Sequence, residues 1–187
     1  MPDKDLWWKT LGSKAGPELP LFNVRYDRLQ HPSSGAEFER LVLDTPDWVN
    51  VVAVTDDEQL VMVDQYRFGI ADMSLEPVGG IVDPGESPEQ AAKRELLEET
   101  GYGGGEWHYL GAVNANPAFH NNDCHMWLAQ GVKKQQDQAL DSGEAIRVHL
   151  KSLDDIRELV ADGSFKHPYG LITLARVFPI WDYPFTP

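Results

Sequence analysis

Cysteine is almost missing from this chain: Cys124 is the single one among 187 residues. One cysteine excludes an internal disulfide and suits a reducing compartment, so a cytoplasmic location is expected. The residue itself reads as a small buried hydrophobe. Long apolar runs are missing too. No stretch approaches the ~18 apolar residues of a membrane span, and the opening MPDKDLWWKTLGSK lacks the apolar segment of a secretory signal. Basic residues are few, 16 Lys and Arg against 30 Asp and Glu, for a formal net charge of −14. Binding to a phosphate backbone draws on a basic surface, so nucleic acid is not an expected partner. No histidine stands at zinc-ligand spacing from the cysteine. His31 and His167 each precede a proline, and a surface or packing role is expected for both.

What remains fits a small globular protein. A hydrophobic fraction of 42% allows a real core, and the length suits one domain plus an arm. Residues 1 to about 45 form the arm, in which LPLFNVRYDRLQ and AEFERLVLDT read as strands around the turn-rich HPSSG. Residues 46–187 form the main domain. WVNVVAVT and QLVMVDQYR are apolar strands joined by DDEQ, and WHYLGAVNA, DCHMWLAQGV and AIRVHLKS are strand-like. LDDIRELVADG and the segment from Tyr169 to Phe178 read as helices. Strands around one central helix, closed by C-terminal helices, predict an α/β or α+β sandwich with a mixed sheet and an N-terminal β arm.

The chemistry is concentrated in GIVDPGESPEQAAKRELLEETGY, from Gly80 to Tyr102. Pro88 follows a plausible N-cap, Ser87, and Gly101 is a good stop, so the spacing predicts a helix over Pro88–Thr100. At about 100° per residue, Glu95, Glu98 and Glu99 share an arc of roughly 100°. Three carboxylates on one face repel one another, and such hard oxygen donors suit Mg2+ or Mn2+. Arg94 can reach Glu98 four residues on and Glu86 in the preceding loop. Gly79, Gly80 and Gly85 allow the backbone to approach a metal or phosphate closely.

Gly80, Glu86, Arg94, Glu95, Glu98, Glu99 and Gly101 stand at the separations G-x5-E-x7-R-E-U-x-E-E-x-G-U, where U is bulky and apolar. Seven fixed residues at ordinary usage coincide by chance about once in 10^8 positions. The pattern resembles the Nudix box, the signature of hydrolases that cut a nucleoside diphosphate linked to another moiety. Tyr102 stands where an aliphatic residue is more usual. The resemblance implies an α/β/α sandwich over roughly Trp48 to Phe178. It also implies Mg2+ (or Mn2+) held by Glu95, Glu98, Glu99 and the Gly79 carbonyl, with Glu86 and Arg94 supporting the catalytic Glu98.

Features outside the box are similar to the ADP-ribose pyrophosphatase and nucleoside diphosphate sugar branch. Pro117 lies sixteen residues after Gly101, DQYRFG contains Arg67, and LEPVG before the box contains Glu76. The resemblance implies that Arg67 faces the substrate's phosphates and that Glu76 touches a ribose or the nucleobase. It implies a general base in the late loop LDSGEAIRV. Glu144 fits one acidic position there, Ser142 replaces an acid two residues earlier, and Asp141 or a box glutamate are the alternatives. It further implies a homodimer in which the arm lends Phe22 to stack on the base, with Arg40 reaching across; Trp7, Trp8 and Tyr26 are alternatives to Phe22. The expected activity is Mg2+-dependent hydrolysis of ADP-ribose or a nucleotide sugar. Hydrolysis of another nucleotide (NADH, coenzyme A or an RNA 5′ end) and a non-catalytic sensor are the rivals.

Overall fold

The computed structural model describes residues 4–181. Residues 1–3 of the predicted arm and 182–187 of the predicted main domain lie outside the described residues. The chain divides into two compact units, residues 1–46 with 114–123, and residues 47–113 with 124–187.

The first unit holds a short 3-10 turn at Lys4–Leu6 and three antiparallel strands, β1 (Lys9–Glu18), β2 (Asn23–Gln30) and β3 (Glu37–Asp44). β2 and β3 are the two strands expected around HPSSG, in register from Asn23 opposite Asp44 to Gln30 opposite Glu37. β1 was not expected. Its segment KTLGSKAGPE carries two glycines and a proline, and bulges between Thr10 and Gly12 and between Ala15 and Glu18 interrupt the alternation. The loop 114–123 is tied to β3. The Leu43 N–H donates to the Phe119 carbonyl at 2.7 Å, and Thr45 N–H donates to Asn121 Oδ1 at 3.2 Å.

The second unit is a layered sandwich. Its sheet runs β10 (Ile146–Lys151), β5 (Leu60–Arg67), β6 (Asp72–Ile81), β4 (Trp48–Thr55), β9 (Asp123–Lys134), β7 (Tyr102–Gly103), with β8 (Glu106–Asn114) also paired to β9. β4 and β9 are parallel, whereas β4 pairs antiparallel with β6 near Trp48–Val51 and with β5 near Ala53–Val54. The sheet is therefore mixed and curls around β4.

Alternate residues of the central strands serve opposite layers. Val51 and Ala53 of β4, Val61 and Val63 of β5, and Trp127 and Ala129 of β9 pack with Ala91, Ala92 and Leu96 of α1 (Pro88–Thr100). Val52, Leu60, Met62 and Leu128 pack with Ile156 of α2 (Leu153–Ala161) and Leu174 of α3 (Pro168–Val177). Burying apolar surface at about 25 cal/mol per Å2 on both faces makes these strands hydrophobic throughout. No helix among the described residues is long and apolar enough to cross a membrane.

β6 was not anticipated as a strand. It contains Pro77, Gly79 and Gly80, which argue against a central strand when read alone. Pairing on both sides, to β4 and β5, overrides that local preference. β6 leads directly into the loop before α1.

Candidate active site

α1 is closed at both ends by local chemistry. Ser87 Oγ accepts from Gln90 N–H at 3.2 Å, Gln90 Oε1 accepts from Ser87 N–H at 2.9 Å, and Pro88 opens the helix. Gly101 ends it at φ 71°, with its N–H on the Leu97 carbonyl at 2.8 Å. These caps fix which residues face the sheet. Leu96 is fully buried in the apolar layer, and Glu95, Glu98 and Glu99 occupy the adjoining arc.

Arg94 gathers the acidic residues around it. Its Nε and Nη2 donate to the two Glu86 oxygens, both at 3.0 Å, a fork-to-carboxylate pair. Nη1 donates to Glu95 Oε1 at 2.9 Å and to Glu98 Oε2 at 3.1 Å, and Nη2 also reaches the Ile81 carbonyl at 3.0 Å. One guanidinium thus joins the end of β6, the loop and two successive faces of α1. The hydrogen bond from Arg94 holds Glu86 below the usual carboxylate range. Gly80 makes room for Glu95: a Cβ there would lie 2.0 Å from Glu95 Oε1.

Glu99 is different. It is 3% exposed, and its Oε2 is buried with no hydrogen-bond partner. Burial, then the neighbouring Glu95 and Glu144, push its carboxyl up to about 8, against the opposing pull of Arg67. Burial likewise raises Glu95 to about 7, although Arg94 opposes the shift. Both groups resist carrying charge without a further cation. Glu144 is exposed in the loop after Asp141; its Oε2 accepts from Asp141 N–H at 3.0 Å, and its charge acts on both Glu95 and Glu99.

The donors are carboxylate and carbonyl oxygens, which fits a hard divalent cation. Glu95, Glu98 and Glu99 of α1, with the Gly79 carbonyl near the end of β6, are the candidate holders. The partnerless Glu99 oxygen is the observation that favours this. Among the described residues no three His, Cys, Asp or Glu side chains already form a cation cage. Glu95 and Glu98 each turn an oxygen to Arg94 instead.

Arg67 and Glu76 face each other across β5 and β6. Arg67 Nε donates to Glu76 Oε1 at 2.9 Å and Nη2 to Oε2 at 2.5 Å. Glu76 is 1% exposed, whereas the Arg67 side chain is 44% exposed. His167 Nε2 lies 3.4 Å from the same Glu76 Oε2. Burial alone would raise Glu76, but the hydrogen bonds and charge of Arg67 hold it below the usual range. The sequence predicts only a surface or packing role for His167; its place just before Pro168, as the N-cap before N1 of α3, is the local signal of its position.

Phe22, Arg40 and Pro117 belong to the first unit. Phe22 is half-buried before β2, and its carbonyl accepts from Leu19 N–H at 3.0 Å. Arg40 is exposed on β3 with its guanidinium 4.7 Å from the Phe38 ring centroid and 5.7 Å from that of Trp8. Pro117 is exposed in the loop tied to β3. Trp8 also meets His31 and Phe38 edge-on.

A sheet sandwiched between α1 and the α2–α3 layer, with an acidic, arginine-gathered turn running from β6 into α1, defines a hydrolase of the Nudix type. The NUDIX domain matches residues 45–169, and the chain belongs to that family. It is 30% identical over 140 residues to the methanol dehydrogenase activator of Bacillus methanolicus, covering 74% of this chain and 75% of the relative. It is 33% identical over 128 residues to the ADP-ribose pyrophosphatase of Bacillus subtilis, covering 68% and 69%. Among solved structures, an ADP compounds hydrolase superposes with a TM-score of 0.79 at 25% identity, over 91% of each chain.

Proposed function

We propose that this enzyme hydrolyses the diphosphate linkage of ADP-ribose or a related nucleoside diphosphate sugar. The observation that carries this reading is the buried, partnerless oxygen of Glu99 next to Glu95, with the half-exposed cation Arg67 acting on Glu99. A buried carboxylate pair asks for a divalent cation, and a neighbouring guanidinium suits a diphosphate. The relatives named for ADP-ribose and ADP compounds support the substrate class.

When bound, Mg2+ (or Mn2+) offsets the diphosphate's charge and lowers the pKa of water. Glu95, Glu98, Glu99 and the Gly79 carbonyl would hold it. Arg94 fixes Glu95 and Glu98 relative to Glu86, so the donors keep their places. Arg67 orients the diphosphate. A water oxygen then bonds to one phosphorus as the bridging P–O bond breaks, and the water's proton passes to Glu144, with Asp141 or a box glutamate as alternative acceptors. ADP-ribose would give AMP and ribose 5-phosphate; a sugar nucleotide would give a nucleoside monophosphate and a sugar 1-phosphate. Positioning and charge stabilisation dominate chemistry of this kind.

The arm completes the proposal. Exposed Trp7, Trp8, Phe38 and Leu41 favour a homodimer in which residues 1–45 contact a second copy. Phe22 would stack on the base and Arg40 would assist it, with Pro117 lining the same site. The lone, buried thiol of Cys124 is in keeping with a cytoplasmic location. The test is turnover of ADP-ribose, ADP-glucose, GDP-mannose, UDP-glucose, NADH and nucleoside triphosphates with Mg2+, alongside light scattering for mass. At least one diphosphate-linked sugar should exceed the triphosphates in kcat/KM. Triphosphates as the best substrates would reject the substrate class.

A further inference from the structure

Arg67, Glu76 and His167 form a chain of contacts that ends at a helix cap. His167 is the N-cap of α3, and its Nδ1 accepts from Gly170 N–H at 3.1 Å. A ring nitrogen that accepts carries no proton, so a neutral ring must carry it on Nε2. Nε2 is the atom 3.4 Å from Glu76 Oε2. The capping bond at one nitrogen therefore decides that the other can donate. Burial keeps His167 below the ordinary histidine range, in line with a neutral ring.

The helix start is pressed onto β6 three residues further on, at Gly170. A Cβ on Gly170 would lie 2.7 Å from Pro77 Cδ and 3.1 Å from His167 Nδ1. The imidazole and the Glu76 carboxylate thus have little room to shift apart. Glu76 in turn takes Nε and Nη2 of Arg67, which leaves Nη1 outside the pair. Arg67 is the member of the chain that reaches solvent, and its charge is felt at Glu99.

We propose that His167 is a positioning residue for the diphosphate site: through Glu76 it holds the Arg67 guanidinium in one orientation beside the α1 carboxylates, with Nη1 offered to the phosphates. This rests on the substrate class proposed above. His167 itself touches no reacting atom. It converts the start of a distant helix into a constraint on Arg67, whose charge is felt at Glu99, and both ring nitrogens are needed for that.

His167→Asn separates the two duties, because Asn is a good N-cap but is too short to reach Glu76. On whichever diphosphate substrate turns over best, the variant should raise KM about tenfold, leave kcat within about threefold, and keep Tm close to wild type. In an Arg67→Ala background the same change should add almost nothing, since contacting residues of one network are not additive. Full additivity of the two losses, or a fall in Tm matching the loss of activity, would overturn the proposal. If no tested diphosphate is hydrolysed, the substrate reading fails by itself. The positioning role is then decided by NMR of the Arg67 Nε–H, which should be ordered in the wild type and mobile in His167→Asn. An equally ordered Nε–H in both would reject the role.

Discussion

Glu76 and Glu99 are two glutamates buried to the same degree, at 1% and 3% exposure, yet their charges are treated in opposite ways. Glu76 has Arg67 on both oxygens and His167 beside one, and it lies below the usual carboxylate range. Glu99 has an oxygen with no partner and is pushed up to about 8. Burial alone penalises both. What separates them is the supply of donors. The first group is completed by the chain itself and belongs to the framework. The second is left short of a partner by the chain itself, which makes it the candidate for a functional role.

The sharpest way to break this contrast is Glu99→Gln, which removes the charge and keeps the shape. Activity in saturating Mg2+ should fall by about 100-fold or more, the scale of losing a key electrostatic stabiliser. The cation-free fold should survive and gain slightly in Tm. Turnover near wild type would place Glu99 with Glu76. The converse variant, Glu76→Gln, should act first on stability. It leaves Arg67 facing a neutral amide and should cost about 1–3 kcal/mol, toward the low end because Arg67 is partly solvated and screened. Thermal melting measures it; an unchanged Tm with lost turnover would make Glu76 a substrate group instead.

The two residues should also pull stability in opposite directions with pH. Glu99 has a folded-state pKa of about 8 against an ordinary 4.5, so its contribution is whole below about pH 4.5 and is lost as pH rises through about 8. Glu95, raised to about 7, acts in the same sense. Glu76 is lowered, so its contribution is present above the ordinary carboxylate pKa and disappears as pH falls through the folded value. In EDTA, Tm should decline between about pH 5 and 8, and Glu99→Gln or added Mg2+ should flatten that decline. A Tm independent of pH over that window would show that Glu99 is not strained. The smallest effect is the control. Glu89 on the exposed side of α1 pairs with Lys93 at 2.5 Å in full reach of solvent. Glu89→Ala should change stability by less than about 0.5 kcal/mol and leave turnover unchanged.

The helix and its acidic arc were legible because every signal is local: Ser87 and Gln90 for the start, Gly101 for the stop, and angular spacing for Glu95, Glu98 and Glu99. The strands β4, β5 and β9 were legible from apolar runs of the right length. β6 was not, since Pro77, Gly79 and Gly80 break the pattern and only neighbours far along the chain restore it. β1 failed for the same reason, with bulges adding to the disguise. The Arg67–Glu76–His167 chain joins residues nine and ninety-one positions from Glu76. The shorter step could be suspected from a hairpin. The longer one depends on how α3 returns to the sheet, and no local spacing encodes that.

Alternate residues of β4 serve different layers: Val51 and Ala53 meet the helix that bears the carboxylates, while Val52 between them meets the C-terminal helices. Two messages are therefore interleaved on one strand, letter by letter. Substituting one valine disturbs one layer. Deleting one residue would exchange the addresses of every residue beyond it, sending each layer's side chains to the other. Over Val51–Ala53 a change of length is thus far more disruptive than a replacement, and the turns are the places that can absorb one.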